Sequence, residues 1–382
     1  MRIEDFTEPQ GELVKNLDGN WAYLPKPLPP AITWDFDLFA PIHDAAIALS
    51  TLDGLGRRLP NPQRFVRMFL RREAQLSSRI EDTHASVKEM VLFENDPSTA
   101  KDEADVLEVS NNFRTLEFAV ESIKHRDITR SLIKEMHAIL LQNVRGHDKT
   151  PGAFRRVQAH IGTSNEIAQA RFVPPPPHAI EECMANLERY LGTRGKLFPI
   201  VRAALVHYQF ETIHPFADGN GRVGRVLLLL QLIKEGAVAA PLLNPSAPLL
   251  ERRRDYYDGL LAVSQRGEWG EWIAFFARNL ADEARDAAGR IERFETLREQ
   301  FQARVAIPRA SALLPKLVDV LFADPVMTAA RVAEIFDITP PAARNLIDKL
   351  EEIGILREST NRQRGRVYLA QDVIDLFADT PA

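Results

Sequence analysis

The 382-residue sequence predicts a mainly α-helical protein with one β-hairpin and a C-terminal winged helix-turn-helix domain. Three observations carry that reading. From about residue 46 to 290 apolar side chains recur at helical spacing with few breaks. One short stretch alternates instead and runs into four consecutive prolines, Pro174 to Pro177. Beyond residue 328, two short helical patterns are followed by two strand-like runs. These changes of pattern divide the chain into an N-terminal helical region (1–125), a core (126–290) and a C-terminal domain (300–382).

The first 45 or so residues are rich in proline and acidic side chains and read as irregular chain laid over the body. From about Pro62 to Glu94 one helix is expected, because Phe65, Phe69, Leu76, Ile80, Val87 and Val91 recur at spacings of four and seven. Within it Ser77 and Glu81 stand four apart, on one face. From Gly152 to Gly162, Val157, Ala159 and Ile161 alternate with polar residues before a Gly-Thr-Ser-Asn turn, which predicts a hairpin. A buried helix is expected from Arg222 to about Glu235. In the C-terminal domain Thr328 and Thr339 are candidate helix caps, and Pro340 suits a first helical position. The second helix carries Ala343, Leu346, Ile347, Leu350 and Ile353 and stops at Gly354, and ILRES and RVYLA read as two strands around a basic turn.

Composition is that of an ordinary globular protein, 45% hydrophobic and 26% charged. The formal net charge of −5 argues against bulk electrostatic binding of nucleic acid. A single cysteine, Cys183, excludes an internal disulfide framework and a cysteine-rich zinc site. No signal peptide is apparent, and no apolar run approaches the ~20 residues a membrane span needs, so a cytoplasmic protein without membrane contact is expected.

The most specific stretch is HPFADGNGRVGR, His214 to Arg225. Gly219 and Gly221 flank Asn220, so the backbone can turn with positive φ and bring N–H groups close to an anion. The following helix adds its N-terminal dipole. Arg222 and Arg225 share a face of its first turn and can reach one polyphosphate, for which guanidinium forks are well shaped. Asp218 offers magnesium a hard oxygen ligand, and His214 is placed to act as a general base for a hydroxyl.

This dodecamer resembles the signature of the Fic family, HxFx(D/E)GNGRxxR, at every defined position. The resemblance implies a Fic-type helical core and transfer of AMP from ATP to a Tyr, Thr or Ser hydroxyl of a target protein, which could be the chain itself. It implies that His214 deprotonates the hydroxyl and that Asp218 holds magnesium. It gives the α-phosphate region to Asn220 with the amides of Gly219 and Gly221, and the β- and γ-phosphates to Arg222 and Arg225. SSRIED, Ser77 to Asp82, resembles the family's inhibitory motif (S/T)xxxE(G/N), departing from it at Asp82. Its position before the signature is the class II arrangement, and it implies that Glu81 pairs with Arg225 and blocks the γ-phosphate. The hairpin resembles the family's target-docking flap, and Tyr257 falls where the family walls its adenine pocket. Two other readings use the same residues: removal of AMP from a modified target, and a DNA-binding regulator whose core senses nucleotide.

From Thr328 to Ala370 seven basic residues oppose six acidic ones, a net of +1. Arg344, Asn345 and Lys349 on the recognition helix, with Arg362, Arg364 and Arg366 on the wing, offer DNA phosphate contacts. Even so, the low charge favours protein docking or a homodimer over DNA.

Overall fold

The computed structural model describes residues 1–59, 62–96, 102–162, 166–193, 195–306, 308, 311–360, 362 and 365–378. The fold is helical, as the periodicity predicts. The N-terminal segment is more regular than expected. Strands β1 (Gly11–Lys15) and β2 (Trp21–Pro25) pair antiparallel, with Gly11 opposite Pro25 and Lys15 opposite Trp21. The turn between them is closed by the Asn16 side chain, which accepts from the amides of Asp18 and Asn20, and by Gly19 at φ 77°. Proline and acid content hid this hairpin, whose inward residues Ala22 and Tyr23 are fully buried.

Helix α1 (Phe36–Arg58) starts at Asp35, whose carboxylate caps the Leu38 amide, and packs along the longest helix, α11 (Trp269–Val305). The single helix expected over 62–94 is two, α2 (Pro62–Ile80) and α3 (Val87–Asn95). The break has a local cause. Thr83 N–H donates to the Ser78 carbonyl and Asp82 N–H to that of Arg79, with Asp82 left-handed at φ 62°, so the helix ends in a Schellman turn. A capping box between Ser86 and Glu89 then starts α3. Apolar spacing runs across the break because both helices face the same core.

Helices α4 (Glu103–Ser122), α5 (Arg130–Leu140) and α6 (Ile180–Gly192) surround a central pair, α7 (Pro199–Ile213) and α8 (Asn220–Lys234), which are buried along almost their whole length. The six-residue connection between α7 and α8 carries the signature loop. Helices α9 (Ser246–Glu251) and α10 (Arg253–Arg266) lead into α11. The stretch 290–300, which separates core from C-terminal domain in the sequence reading, lies inside α11 and is helical throughout.

The C-terminal domain contains α12 (Leu313–Leu321), β3 (Val326–Met327), α13 (Ala329–Phe336), α14 (Pro340–Glu352), β4 (Arg357–Glu358), β5 (Tyr368–Leu369) and α15 (Gln371–Asp375). Its sheet has the order β3-β5-β4, all antiparallel. Thr328 caps α13 through its side chain, whereas Thr339 makes no side-chain cap and α14 relies on Pro340 at its first turn. Strand β3, two residues long, was too short to read from sequence. This is a winged helix-turn-helix, and its apolar interior is continuous with that of the core. Among the described residues no helix is long and apolar enough to cross a membrane.

Among the described residues the predicted hairpin after Gly152 is reduced to one antiparallel bridge, Ile161 to Phe172; the expected turn residues Thr163, Ser164 and Asn165 lie outside the described residues. The backbone of this segment is held mostly by side chains instead. Buried Arg155 donates to the carbonyls of Val157, Pro175 and His214, while its own amide donates to that of Pro215. The apolar alternation that suggested strands is partly exposed, with Val157 66% accessible.

Candidate active site

A cavity of about 580 Å³ opens where the end of α7, the start of α8, the α2 terminus, α10 and residues 161–162 and 169–172 meet. His214, Gly221, Arg225, Tyr257 and Glu81 line it. Glu81 and Arg225, 144 positions apart in sequence, are thus brought together by two helix ends.

His214 terminates α7 in the left-handed conformation, φ 50° and ψ 60°. Its Nδ1 lies 3.3 Å from the Glu211 carbonyl, an acceptor, so Nδ1 carries the proton and Nε2 keeps its lone pair. Burial, helped by the nearby Arg155 charge, lowers its pKa to about 4, so the ring is neutral at physiological pH.

The loop is braced from below. Asn220 is 2% exposed, and its side chain accepts from Phe216 N–H and donates to Phe216 C=O, both at 2.8 Å. Its amide is therefore spent on loop shape, and what faces an anion at the start of α8 is backbone. His137, unremarked in the sequence, stacks on Phe216 at 3.8 Å, accepts from Gly152 N–H and donates through Nε2 to the Asp218 carbonyl. The two glycines differ. Gly219 is left-handed at φ 74°, as expected, but Gly221 is helical; its need is space, since a Cβ there would stand 2.3 Å from Glu81 Oε1.

Asp218 does not line the cavity, although its charge is felt by His214. One of its oxygens accepts the Gly219 amide at 2.6 Å, and its side chain is 36% exposed. One accessible hard carboxylate fits magnesium, which takes one or two such ligands and completes its shell with water and phosphate. Among the described residues no group of three or more metal-ligating side chains exists. Arg222 does not line the cavity either. It is 2% exposed and pairs with buried Glu108 at 3.2 Å, and Glu108 also accepts from the Thr83 hydroxyl.

Arg225 is 1% exposed, and the end of α2 engages its Nε and Nη2. Its Nε donates to the Ser77 hydroxyl at 2.9 Å, and its Nη2 to the Ser77 carbonyl at 2.9 Å and to Glu81 Oε1 at 2.7 Å. Burial acts to raise the Glu81 pKa, but Arg225 and then Arg222 outweigh it and hold the carboxyl below the usual range. The Schellman turn explains why the family motif has Gly or Asn after the glutamate: that position is left-handed. Aspartate tolerates it, and Asp82 adds a bidentate pair to Arg253, at 2.7 and 3.0 Å, across the cavity mouth. Tyr257 lines the cavity beneath Arg253; Tyr256, also in the lining, is fully buried and hydrogen-bonds His207.

Sequence reasoning missed Glu211, Glu108, Arg155, His137 and Arg253. Glu211, one helical turn before His214, lines the cavity with one buried oxygen lacking a protein partner among the described residues. Burial lifts its pKa to about 7, against the pull of Arg225. The folded state therefore keeps a proton that the unfolded chain releases near pH 4 to 5. Its stabilising contribution is complete below that range and is lost as pH rises through 7. Glu211→Gln is expected to flatten the decline of Tm between pH 5 and 7.5; an unchanged slope would assign the decline to other groups.

Comparison with known proteins gives matches in sequence and in fold. Residues 127–232 match the Fic/DOC family, residues 39–121 the Fic/DOC family N-terminal domain, and residues 314–368 an HTH DNA binding domain. The protein adenylyltransferase fic-1 of Caenorhabditis elegans is 30% identical over 177 residues, which is 46% of this chain and 32% of that protein. Protein adenylyltransferase Fic of Drosophila melanogaster is 33% identical over 153 residues, 40% of this chain and 28% of that protein. The chain thus spans about a third of the length of these curated relatives. In fold it is similar to a Fic family protein from Desulfovibrio desulfuricans G20, with TM-score 0.59 and 21% identity, covering 90% of this chain and 98% of that one. A Fic domain containing signaling protein from Bacteroides thetaiotaomicron VPI-5482 gives TM-score 0.51 and 20% identity, covering 65% and 97%.

Proposed function

Since the chain carries a Fic/DOC domain, preceded by that family's N-terminal domain and followed by a helix-turn-helix domain, we propose that it is a protein adenylyltransferase held inactive by Glu81. It would transfer AMP from ATP to a Tyr, Thr or Ser hydroxyl of a target protein or of itself. The observation that carries the proposal is the cavity shared by a neutral His214, the amide end of α8 and an Arg225 occupied by Glu81.

In the step proposed, His214 Nε2 takes the hydroxyl proton as that oxygen attacks the α-phosphorus. The new O–P bond forms while the bond to the bridging oxygen of the β-phosphate breaks, and pyrophosphate leaves. The N–H groups opening α8 lie where an anion is favoured. Tyr257 offers a face for the base. Arg225, once Glu81 withdraws, presents a guanidinium fork to the terminal phosphate. Arg222 reaches phosphate only if Glu108 yields it, so its role is assigned to loop support in the resting state. Asp218 would hold magnesium, which supplies charge neutralisation along the polyphosphate.

The test is transfer of label from ATP carrying it at the α-phosphate or at the γ-phosphate, with magnesium, read by intact mass. Labelling from the α position with an AMP mass increment is expected. Label from the γ position alone would replace adenylylation with phosphorylation, and none from either, with Glu81 removed, would favour AMP removal or nucleotide sensing.

A further inference from the structure

Helix α2 is gripped at both ends. Its C-terminal end delivers Ser77 and Glu81 to Arg225. Roughly two to four turns earlier, Arg67 and Arg71, four apart and so on one face, both reach the winged-helix domain. Arg67 donates to both carboxylate oxygens of Asp324 at 2.9 and 3.0 Å. Arg71, 1% exposed, donates to Asp324 at 2.9 Å, to the Ala323 carbonyl at 2.8 Å and to Glu94 at 2.8 Å. Asp324 lies in the turn between α12 and β3, so one carboxylate of the C-terminal domain meets two guanidinium groups of α2. Phe69, on another face of α2, packs edge-on against Phe377 of the C-terminal domain, ring centroids 5.3 Å apart.

We infer that Asp324 is a positioning residue of the resting state: the winged-helix domain holds α2 in the register that seats Glu81 on Arg225. The inference rests on the proposed function for its activity readout but not for its structural one. A buried, multiply bonded guanidinium fixes the helix axially, because sliding α2 by one residue, about 1.5 Å, breaks its fork geometry. The same slide would carry Ser77 and Glu81 off Arg225. The two contacts therefore favour one position of the helix, and loosening either weakens the other. A partner of the winged-helix domain that prefers the domain detached from α2 would lift the inhibition by its differential affinity.

The test compares Asp324→Asn and Asp324→Ala with wild type, each with Glu81 present and in a Glu81→Gly background, in the full chain. With Glu81 present, self-labelling is expected to rise about tenfold for Asp324→Ala and less for Asp324→Asn. With Glu81 gone, neither should change the rate, since there is no brake left to misplace. A general loss of folding lowers both backgrounds alike, and that result, or an equal rise in both, overturns the inference. Hydrogen exchange at amides 74–82 is read in parallel. Faster exchange in Asp324→Ala supports the coupling, and unchanged exchange rejects it whether or not the protein labels. Absence of labelling in Glu81→Gly alone would count against the proposed function instead.

Discussion

Glu81→Gly is expected to raise ATP-dependent self-labelling by roughly thirty- to a hundredfold, corresponding to about 2–3 kcal/mol. The magnitude follows from what Arg225 does in the resting state. It is 1% exposed and uses Nη2 on Glu81 at 2.7 Å, a charge-assisted bond whose carboxylate is one third exposed. A wholly buried pair would cost about 3–5 kcal/mol to break, and the exposure of Glu81 discounts that figure. On the proposed function, ATP would meet this cost before its terminal phosphate could use the guanidinium. Removing the carboxylate removes the competitor while Ser77 still orients Arg225 through its hydroxyl and carbonyl. Glu81→Gln should activate less, because a neutral amide oxygen can still accept from Arg225. Affinity for ATP, measured by calorimetry, should tighten in the same order. Equal rates for all three proteins would remove Glu81 from the mechanism.

How much of this was legible in the sequence depends on the range of the forces involved. The helices, the winged helix-turn-helix and the signature loop were readable because periodicity, caps and glycines act locally. The break between α2 and α3 was not, since the apolar spacing of Val87 and Val91 continues that of Phe65 to Ile80 and the stop signal is an aspartate in a glycine's place. The β1–β2 hairpin was hidden by its proline-rich surroundings. In the site, residue types were legible and their division of labour was not. Asn220 and Arg222 bond within the fold, to Phe216 and Glu108, and no spacing rule shows that a polar side chain will be consumed by its neighbours. Glu108, Arg155 and Arg253 are ordinary helix or loop residues in sequence and meet the site through Arg222, His214 and Asp82, partners 59 to 171 positions away.

In the Glu81→Gly background, His214→Ala is expected to lower the labelling rate by about 10²- to 10⁴-fold, the usual worth of a positioned general base. Binding of ATP should be nearly unchanged, because no hydrogen bond joins His214 to Arg225 among the described residues. The pH profile adds a second constraint. Burial holds the His214 ring neutral down to about pH 4, so the base is already unprotonated at pH 6 and the rate should show no histidine limb between pH 6 and 8. An inflection near 7 would instead report Glu211, whose carboxyl is lifted to about that value one helical turn away and would, on ionising, add negative charge where a polyphosphate has to sit. The two residues are separable by substitution. His214→Ala removes the rate at every pH, whereas Glu211→Gln removes only the inflection. A Glu81→Gly, His214→Ala protein that still labelled at the parent rate would place the proton acceptor elsewhere in the cavity, and Glu211, lining it with one oxygen buried and unpartnered among the described residues, would be the first group to test.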